Sequence, residues 1–380
     1  MYNKSKHFDG ALLLLTGACC AIGLLLAASM EYIGENRSFT SGSVGGLFLR
    51  QTAAVFAGAC ACGMLSFVSA RGFCRSAAAV MLFGTALTAL TFTPLGVSPE
   101  GSDDRAWIAL GAFGIQPSEI LKLCFIISFA AHLCVRRDRI NTPSGLGLLL
   151  LHAAVPTGMV WMQGDQGTAV VFMVITAGML MTGGLKVKYI IGAMLASPAA
   201  AWVMWRFVLQ EHQKQRLAVL LDPSLDPLGA GFQQTQSRLA IAEGGLLGSG
   251  LFSRGGELVY VSQSQNDFVF SYAGQVGGAV LCAAVIVLEF ALVLRLLSLS
   301  AKRSGAGRLI ASGTAAMLFA HSFINIAMAL GFMPVIGVPL PFISAGGTAA
   351  VSMLAAVGAV QGSLFRGTEK DNVQNLITEV

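Results

Sequence analysis

The sequence predicts an all-α, polytopic membrane protein of about ten transmembrane helices, and three observations predict it. Hydrophobic residues make up 55% of the 380-residue chain and charged residues only 11%, a balance too apolar for a water-soluble domain of that length. The apolar residues come in runs of about 20, the length a helix needs to cross a bilayer core. Most of the lysines and arginines fall at the termini or in alternate connections, the asymmetry that sets orientation in a membrane.

Taken in order, Lys4 and Lys6 precede an apolar run from Ala11 to Ala28. Ala27-Ala28-Ser29 behind that run also suits a cleavable signal peptide, but the spans that follow favour a retained first helix. Further spans are expected at about 51–70, 77–97, 118–135, 145–162, 168–182, 189–209, 268–297, 309–332 and 346–364. The one at 168 is short enough to tilt or to be partly re-entrant. Arg71, Arg75, Arg136, Arg137, Arg139, Lys186, Lys188, Lys302, Arg303, Arg308, Arg366 and Lys370 all lie in even-numbered connections or at a terminus. Both ends are therefore expected in the cytoplasm. The odd-numbered connections, expected outside, hold Glu31, Glu35, Glu100, Asp103, Asp104, Asp165, Asp222, Asp226, Glu243 and Glu257. The domain expectation is one membrane unit over 1–366, with a long outer loop at about 210–266 between spans seven and eight. A polar cytoplasmic tail over 367–380 completes it.

The net charge of +5 gives no support for nucleic-acid binding, because its basic residues are spread over the connections. Eight cysteines, mostly inside apolar runs and without a C-x-x-C pair, read as small core residues; no metal-ligand spacing appears. Gly-Gly pairs at 45, 183, 244, 255, 277 and 346 follow no fixed period, so no internal repeat is read.

The long loop interrupts the apolar pattern with two Asp-Pro turns, a Gln-rich stretch of helical character and paired glycines, and it ends at Asp267. An ionisable group within a span costs on the order of 2.5–3.5 kcal/mol, so each one asks for a reason. Pro117 suits a first helical position, which puts Glu119 in the first turn and Lys122 one turn later. Two readings stay open: a buried ion pair, or a lysine that holds a pyrophosphate. Asp165 between two glycines reads as turn chemistry, or as a place where backbone approaches a ligand. Asp267 before an apolar run reads as an N-cap, a role that can coexist with catalysis. Pro339, Pro341, Gly346 and Gly347 break an apolar stretch, and amides at Ser344 to Gly347 at a helix start would suit an anion. His321 and Asn325 share a helix face and are expected to hydrogen-bond between helices.

Taken together, RAWIALGAFGIQPSEILK, QGDQGTA, LDPSLDPLGAGFQQTQSRLAIAEGGLLGSGL, NDFVF and NIAMALGFMPVIGVPLPFISAGGT resemble the SEDS family, the bacterial RodA, FtsW and SpoVE proteins. The resemblance covers nearly the whole chain and implies a SEDS-type helix bundle. It further implies a peptidoglycan glycosyltransferase that polymerises lipid II, releases undecaprenyl pyrophosphate and works beside a class B penicillin-binding protein. Carried onto this chain, the catalytic aspartate is Asp267, the general base for the acceptor 4-hydroxyl. Substrate contacts are expected from Arg105, Glu119, Lys122, Asp165, Arg216, Gln236, Arg238, Ser344, Gly346 and Gly347. Of these, Arg105, Lys122, Arg216 and Arg238 are the cations for the leaving pyrophosphate, with a divalent ion, magnesium or manganese, sharing that work.

The chain departs from the family pattern. Where the family reads like PE-x-H-T-D-F-x-F followed by a Glu-Glu pair, Ser262, Gln263, Gln265 and Asn266 precede Asp267, and Gln275 and Val276 replace the glutamates. Ala345 stands where the family has Tyr, and Gly164-Asp165 where it has Pro-Asp. Fewer acidic neighbours in sequence predict a lowered pKa for Asp267. A non-catalytic SEDS scaffold and a lipid-linked oligosaccharide transporter are the alternative readings.

Overall fold

The computed structural model describes residues 8–35, 46–98, 104–110, 113–226, 229–253 and 258–365. The expected tail and residues such as Glu100, Asp103 and Glu257 lie outside the described residues. Ten helices are long and apolar enough to cross a membrane. In chain order the described helices begin with α1 (Gly10–Glu35), α2 (Leu47–Leu65), α3 (Ala70–Ala89), α4 (Pro117–Val135), α5 (Pro143–Met162), α6 (Gln166–Gly183) and α7 (Val187–Val203). Two helices of the long connection follow, α8 (Glu211–Leu221) and α9 (Ala230–Gly244), then the spans α10 (Val269–Ala301), α11 (Gly305–Ala329) and α12 (Gly347–Phe365). The Gln-rich stretch is α9.

Local chemistry sets the helix starts. The Ser69 side chain accepts from the Gly72 amide at 3.2 Å, so α3 begins seven residues before the expected 77 and carries Arg71 and Arg75 in its first turns. Thr142 caps α5 through Gly145 at 3.2 Å, with Pro143 at the first position. Proline there loses nothing, because that amide has no partner within the helix. Three short antiparallel strands, unforeseen in an all-α reading, precede α4: β1 (Gly96–Val97), β2 (Trp107–Leu110) and β3 (Phe113–Ile115). Gly96 pairs with Ile108, and Ile108 in turn with Ile115.

The centre of the bundle is α4, α11 and α12, whose buried residues run round the whole helix, the pattern of a span enclosed by other spans. By contrast α7 buries no residue. Its base is tied to the α4–α5 connection by Asn141, which donates to the Gly184 carbonyl at 3.0 Å and accepts from the Lys186 amide at 2.8 Å. The Tyr189 hydroxyl donates to the Asn141 carbonyl at 2.7 Å.

Helix α10 is broken at Gly278 (φ 64°, ψ −166°). In lipid each unpaired backbone group costs several kcal/mol, and here the chain after α9 supplies the partners. Ser249 and Gly250 amides donate to the Gln275 and Val276 carbonyls, each at 3.0 Å; Ala279 and Val280 amides donate to the Gly245 and Leu246 carbonyls at 2.8 and 3.2 Å. The Gly-Gly pairs at 244 and 277 make this approach possible: a Cβ on Gly244 would strike the Gly274 carbonyl, and one on Gly248 the Val276 backbone.

Candidate functional site at the start of α10

Asp267 lies one residue ahead of the α10 N-cap position, which Phe268 occupies without a side-chain cap. The cap reading therefore gives way. The amides of Asn266 and Phe268 already close on the Gln263 carbonyl at 3.0 and 3.3 Å, so the turn needs nothing from the carboxylate. Among the described residues that carboxylate accepts no hydrogen bond, and Gly337, with φ +62°, brings its backbone alongside: a Cβ there would stand 3.4 Å from Asp267 Oδ2.

The environment is acidic, contrary to the expectation from sequence neighbours. Burial pushes the Asp267 carboxyl up to about 6, with the charges of Asp165 and Asp104 adding to the rise. Gln275 and Val276 are buried along α10; the negative charge near the aspartate arrives instead from two other parts of the chain. Burial likewise raises Asp165 to about 6, opposed by its bonds to Thr168 and by the charge of Lys122. Asp165 is the N-cap of α6, accepting from the Thr168 amide at 2.9 Å through Oδ1. Its Oδ2 accepts from Gln116 Nε2 at 2.9 Å. The turn reading of Asp165 takes the form of this helix cap.

Behind Asp165, Lys122 is fully buried and donates to Glu119 Oε1 at 2.6 Å and to His321 Nε2 at 2.7 Å. His321 Nδ1 is 3.0 Å from the Pro339 carbonyl. A carbonyl only accepts, so the proton is on Nδ1 and the ring is neutral, with Nε2 free to receive the ammonium's proton donation. The ion-pair reading of Glu119 and Lys122 is the geometry found.

The segment from Met333 to Gly346 runs as extended chain and turns between α11 and α12 and threads among the site helices. A Cβ on Gly167 would strike the Ile336 carbonyl oxygen. Gly167→Ala is therefore expected to destabilise the protein by about 1–3 kcal/mol, the usual range for overpacking. Thermal unfolding of the detergent-solubilised chain measures it.

The other candidates are placed as follows. Ser344 is buried; its hydroxyl donates to the Asn266 carbonyl at 2.6 Å and accepts from the Leu340 amide at 2.8 Å. Gly347 is exposed at the first position of α12, with open space where a Cβ would stand, and Gly346 packs beside Pro339. The Arg105 guanidinium donates to the Thr93 and Gly96 carbonyls at 3.0 and 3.1 Å, holding the turn into β1. Arg216 sits on α8, and Gln236 and Arg238 on α9, with the Arg238 side chain against Gly331. Among the described residues no three metal-ligating side chains converge, and both oxygens of Asp165 are engaged.

The FtsW/RodA/SpoVE family model, described as cell cycle protein, matches residues 10–363. The chain belongs to that family. Its relatives in the FtsW/RodA/SpoVE family include the peptidoglycan glycosyltransferase MrdB of Escherichia coli, 35% identical over 260 residues, covering 67% of this chain and 70% of MrdB. The probable peptidoglycan glycosyltransferase FtsW of Geobacter sp. is 29% identical over 361 residues, 94% of this chain and 96% of its own length. Among solved structures, the rod shape determining protein RodA of Thermus thermophilus matches with a TM-score of 0.67 at 25% identity, over 93% of this chain and 95% of that one. A chain from a structure described as the coordination of polymerization and crosslinking by a peptidoglycan synthase complex matches with a TM-score of 0.76 at 27% identity, over 93% and 97%.

Of the site, sequence reasoning found Asp267, Asp165, Glu119 and Lys122 but missed Asp104 as a neighbour of Asp267, and Gln116 and Gly337 as contacts. No local signal marks those three, since each reaches the site only through the fold.

Proposed function

We propose that this protein is a peptidoglycan glycosyltransferase that polymerises lipid II, with Asp267 as general base. The observation that carries the reading is the state of Asp267: a partly accessible carboxylate, not spent on capping, with its affinity for protons raised into the range where it can hold one. Efficient general bases have pKa values near the working pH. The acceptor's 4-hydroxyl gives its proton to Asp267 as its oxygen bonds to the donor's anomeric carbon. The bond from that carbon to the pyrophosphate oxygen breaks, with inversion, and undecaprenyl pyrophosphate leaves.

Charge for the leaving group comes from Arg105, Arg216 and Arg238 and from the exposed α12 start at Gly347. Lys122 acts from behind through its field on Asp165. The site end of the bundle faces outward and both termini are cytoplasmic, in keeping with the alternation of basic connections. A class B penicillin-binding protein is the partner, a choice supported by the likeness to a chain of a synthase complex. The scaffold reading rested on Gln275 and Val276, and it loses its motive because Asp104 and Asp165 supply the acidic surroundings.

The test is polymerisation of labelled lipid II by the purified chain, alone and with its transpeptidase partner, followed between about pH 4.5 and about pH 8. Long glycan strands are expected, with a rate that falls below about pH 6, because the base works ionised and protonates there. The two aspartates titrate as an interacting pair. Asp165→Asn keeps the helix cap, for which Asn serves as well, and removes a negative neighbour; the acid limb is expected to move to lower pH. No strands in either arm at any pH would leave the scaffold reading standing.

A further inference from the structure

Three consecutive carbonyls of the turn before α10, those of Gln265, Asn266 and Asp267, each accept a hydrogen bond from another part of the chain. The Ala345 amide donates to Gln265 at 2.8 Å, the Ser344 hydroxyl to Asn266 at 2.6 Å, and Asn325 Nδ2 to Asp267 at 2.8 Å. Asn325, fully buried on α11, spends its second N–H on the Val338 carbonyl, also at 2.8 Å. One side-chain amide thus joins the peptide of Asp267 to the peptide next to Gly337, the residue whose backbone flanks the carboxylate. The neighbouring turn of α11 does the same for Pro339 through His321.

We infer that Asn325 is a positioning residue for the glycosyl transfer: by bridging the Asp267 and Val338 carbonyls it sets where the carboxylate stands relative to the Gly337 backbone. An amide is suited to this task because its two N–H groups diverge from one planar nitrogen, and two acceptors on different segments can share them. Asn325 touches no reacting atom. Its effect is exerted through the distance at which Asp267 meets the acceptor hydroxyl, and a misplacement of about 1 Å costs roughly 100-fold in rate. The inference rests on the reading of Asp267 as the base.

Loss of the bridge also leaves the half-buried carboxylate free to move farther into water. The charges that face Asp267 are Asp165 at the α6 cap and Asp104 ahead of β2. Lys122 of α4 offsets the charge at Asp165, and the ring of His321 on α11 is turned to Lys122 and Pro339. None of these is changed by a substitution at Asn325, so a fall in the burial contribution reads directly as a shift of the acid limb toward the ordinary carboxylate range.

The experiment compares wild type, Asn325→Ala, Asn325→Ser, Asp267→Asn and Ser312→Ala as full chains with the transpeptidase partner, measuring kcat, KM for lipid II and the pH profile. Ser312, buried toward the other end of α11 and bonded only within its helix, controls for loss of a buried hydroxyl. Asn325→Ala is expected to lower kcat by about 30- to 100-fold with KM within about twofold, and to move the acid limb downward. Asn325→Ser, which keeps one neutral donor, is expected to show a smaller change of the same kind and is read in its place where Asn325→Ala does not accumulate. A uniform loss of rate with the limb unmoved, as from a smaller folded fraction, overturns the inference, as does a wild-type kcat. Retained polymerisation in Asp267→Asn removes the base assignment itself, whereas an inactive Asp267→Asn beside a wild-type Asn325→Ala removes only the positioning role.

Discussion

Asp267→Asn is expected to lower lipid II polymerisation by at least about 100-fold, and up to about 10,000-fold, the span a positioned general base contributes. The substitution keeps the volume of the side chain. It also leaves intact the turn around it, since the amides of Asn266 and Phe268 bond to the Gln263 carbonyl and the Asp267 carbonyl bonds to Asn325. Expression and thermal stability should therefore stay near wild type or rise, because a half-buried carboxylate near the charges of Asp165 and Asp104 is replaced by a neutral amide. Rate and stability measured on the same preparation separate chemistry from folding. A variant that polymerises at the wild-type rate would falsify the assignment.

Lys122→Met is expected to cost about 3–5 kcal/mol of stability, the penalty for leaving a buried charge without its partner. Glu119 would keep its burial and lose the ammonium at 2.6 Å, with Oε2 already lacking a hydrogen-bond partner among the described residues. His321 Nε2 would lose its donor as well. The double variant Lys122→Met with Glu119→Gln is expected to recover most of that loss, because exchanging a whole buried pair for neutral groups is often close to neutral. Thermal unfolding in detergent reads both. Full stability of Lys122→Met alone would mean that Glu119 takes up a proton or reaches water, and neither the pair within α4 nor the Lys122–His321 bond to α11 would be needed for stability.

Several site features were legible in the chain. The spacing of Glu119 and Lys122 put them on one helix face, and they pair. His321 and Asn325 were expected to bond between helices; His321 does, to Lys122 on α4, whereas Asn325 bonds to carbonyls of the non-helical segments before α10 and before α12. The Gln-rich stretch is a helix. Other features had no local mark. The early start of α3 depends on one serine hydroxyl, whereas hydropathy is averaged over a whole span. The three strands are too short to carry a period. Asp267 looked like a cap because caps are recognised by position, and only the path of the turn from Gln263 shows its side chain left over.

The number of spans and their order were set by the sequence alone, because crossing a bilayer depends on the apolar content of about 20 contiguous residues and on nothing farther away. The working state of Asp267 was decided by tertiary structure. Its charge environment comes from Asp104 and Asp165, its carbonyl is held by Asn325, 58 positions on, and the Asn266 carbonyl by Ser344, 78 positions on from Asn266. Charge and hydrogen bonding act through space, so residues adjacent to Asp267 in sequence, Gln275 and Val276 included, say little about the proton affinity of its carboxylate.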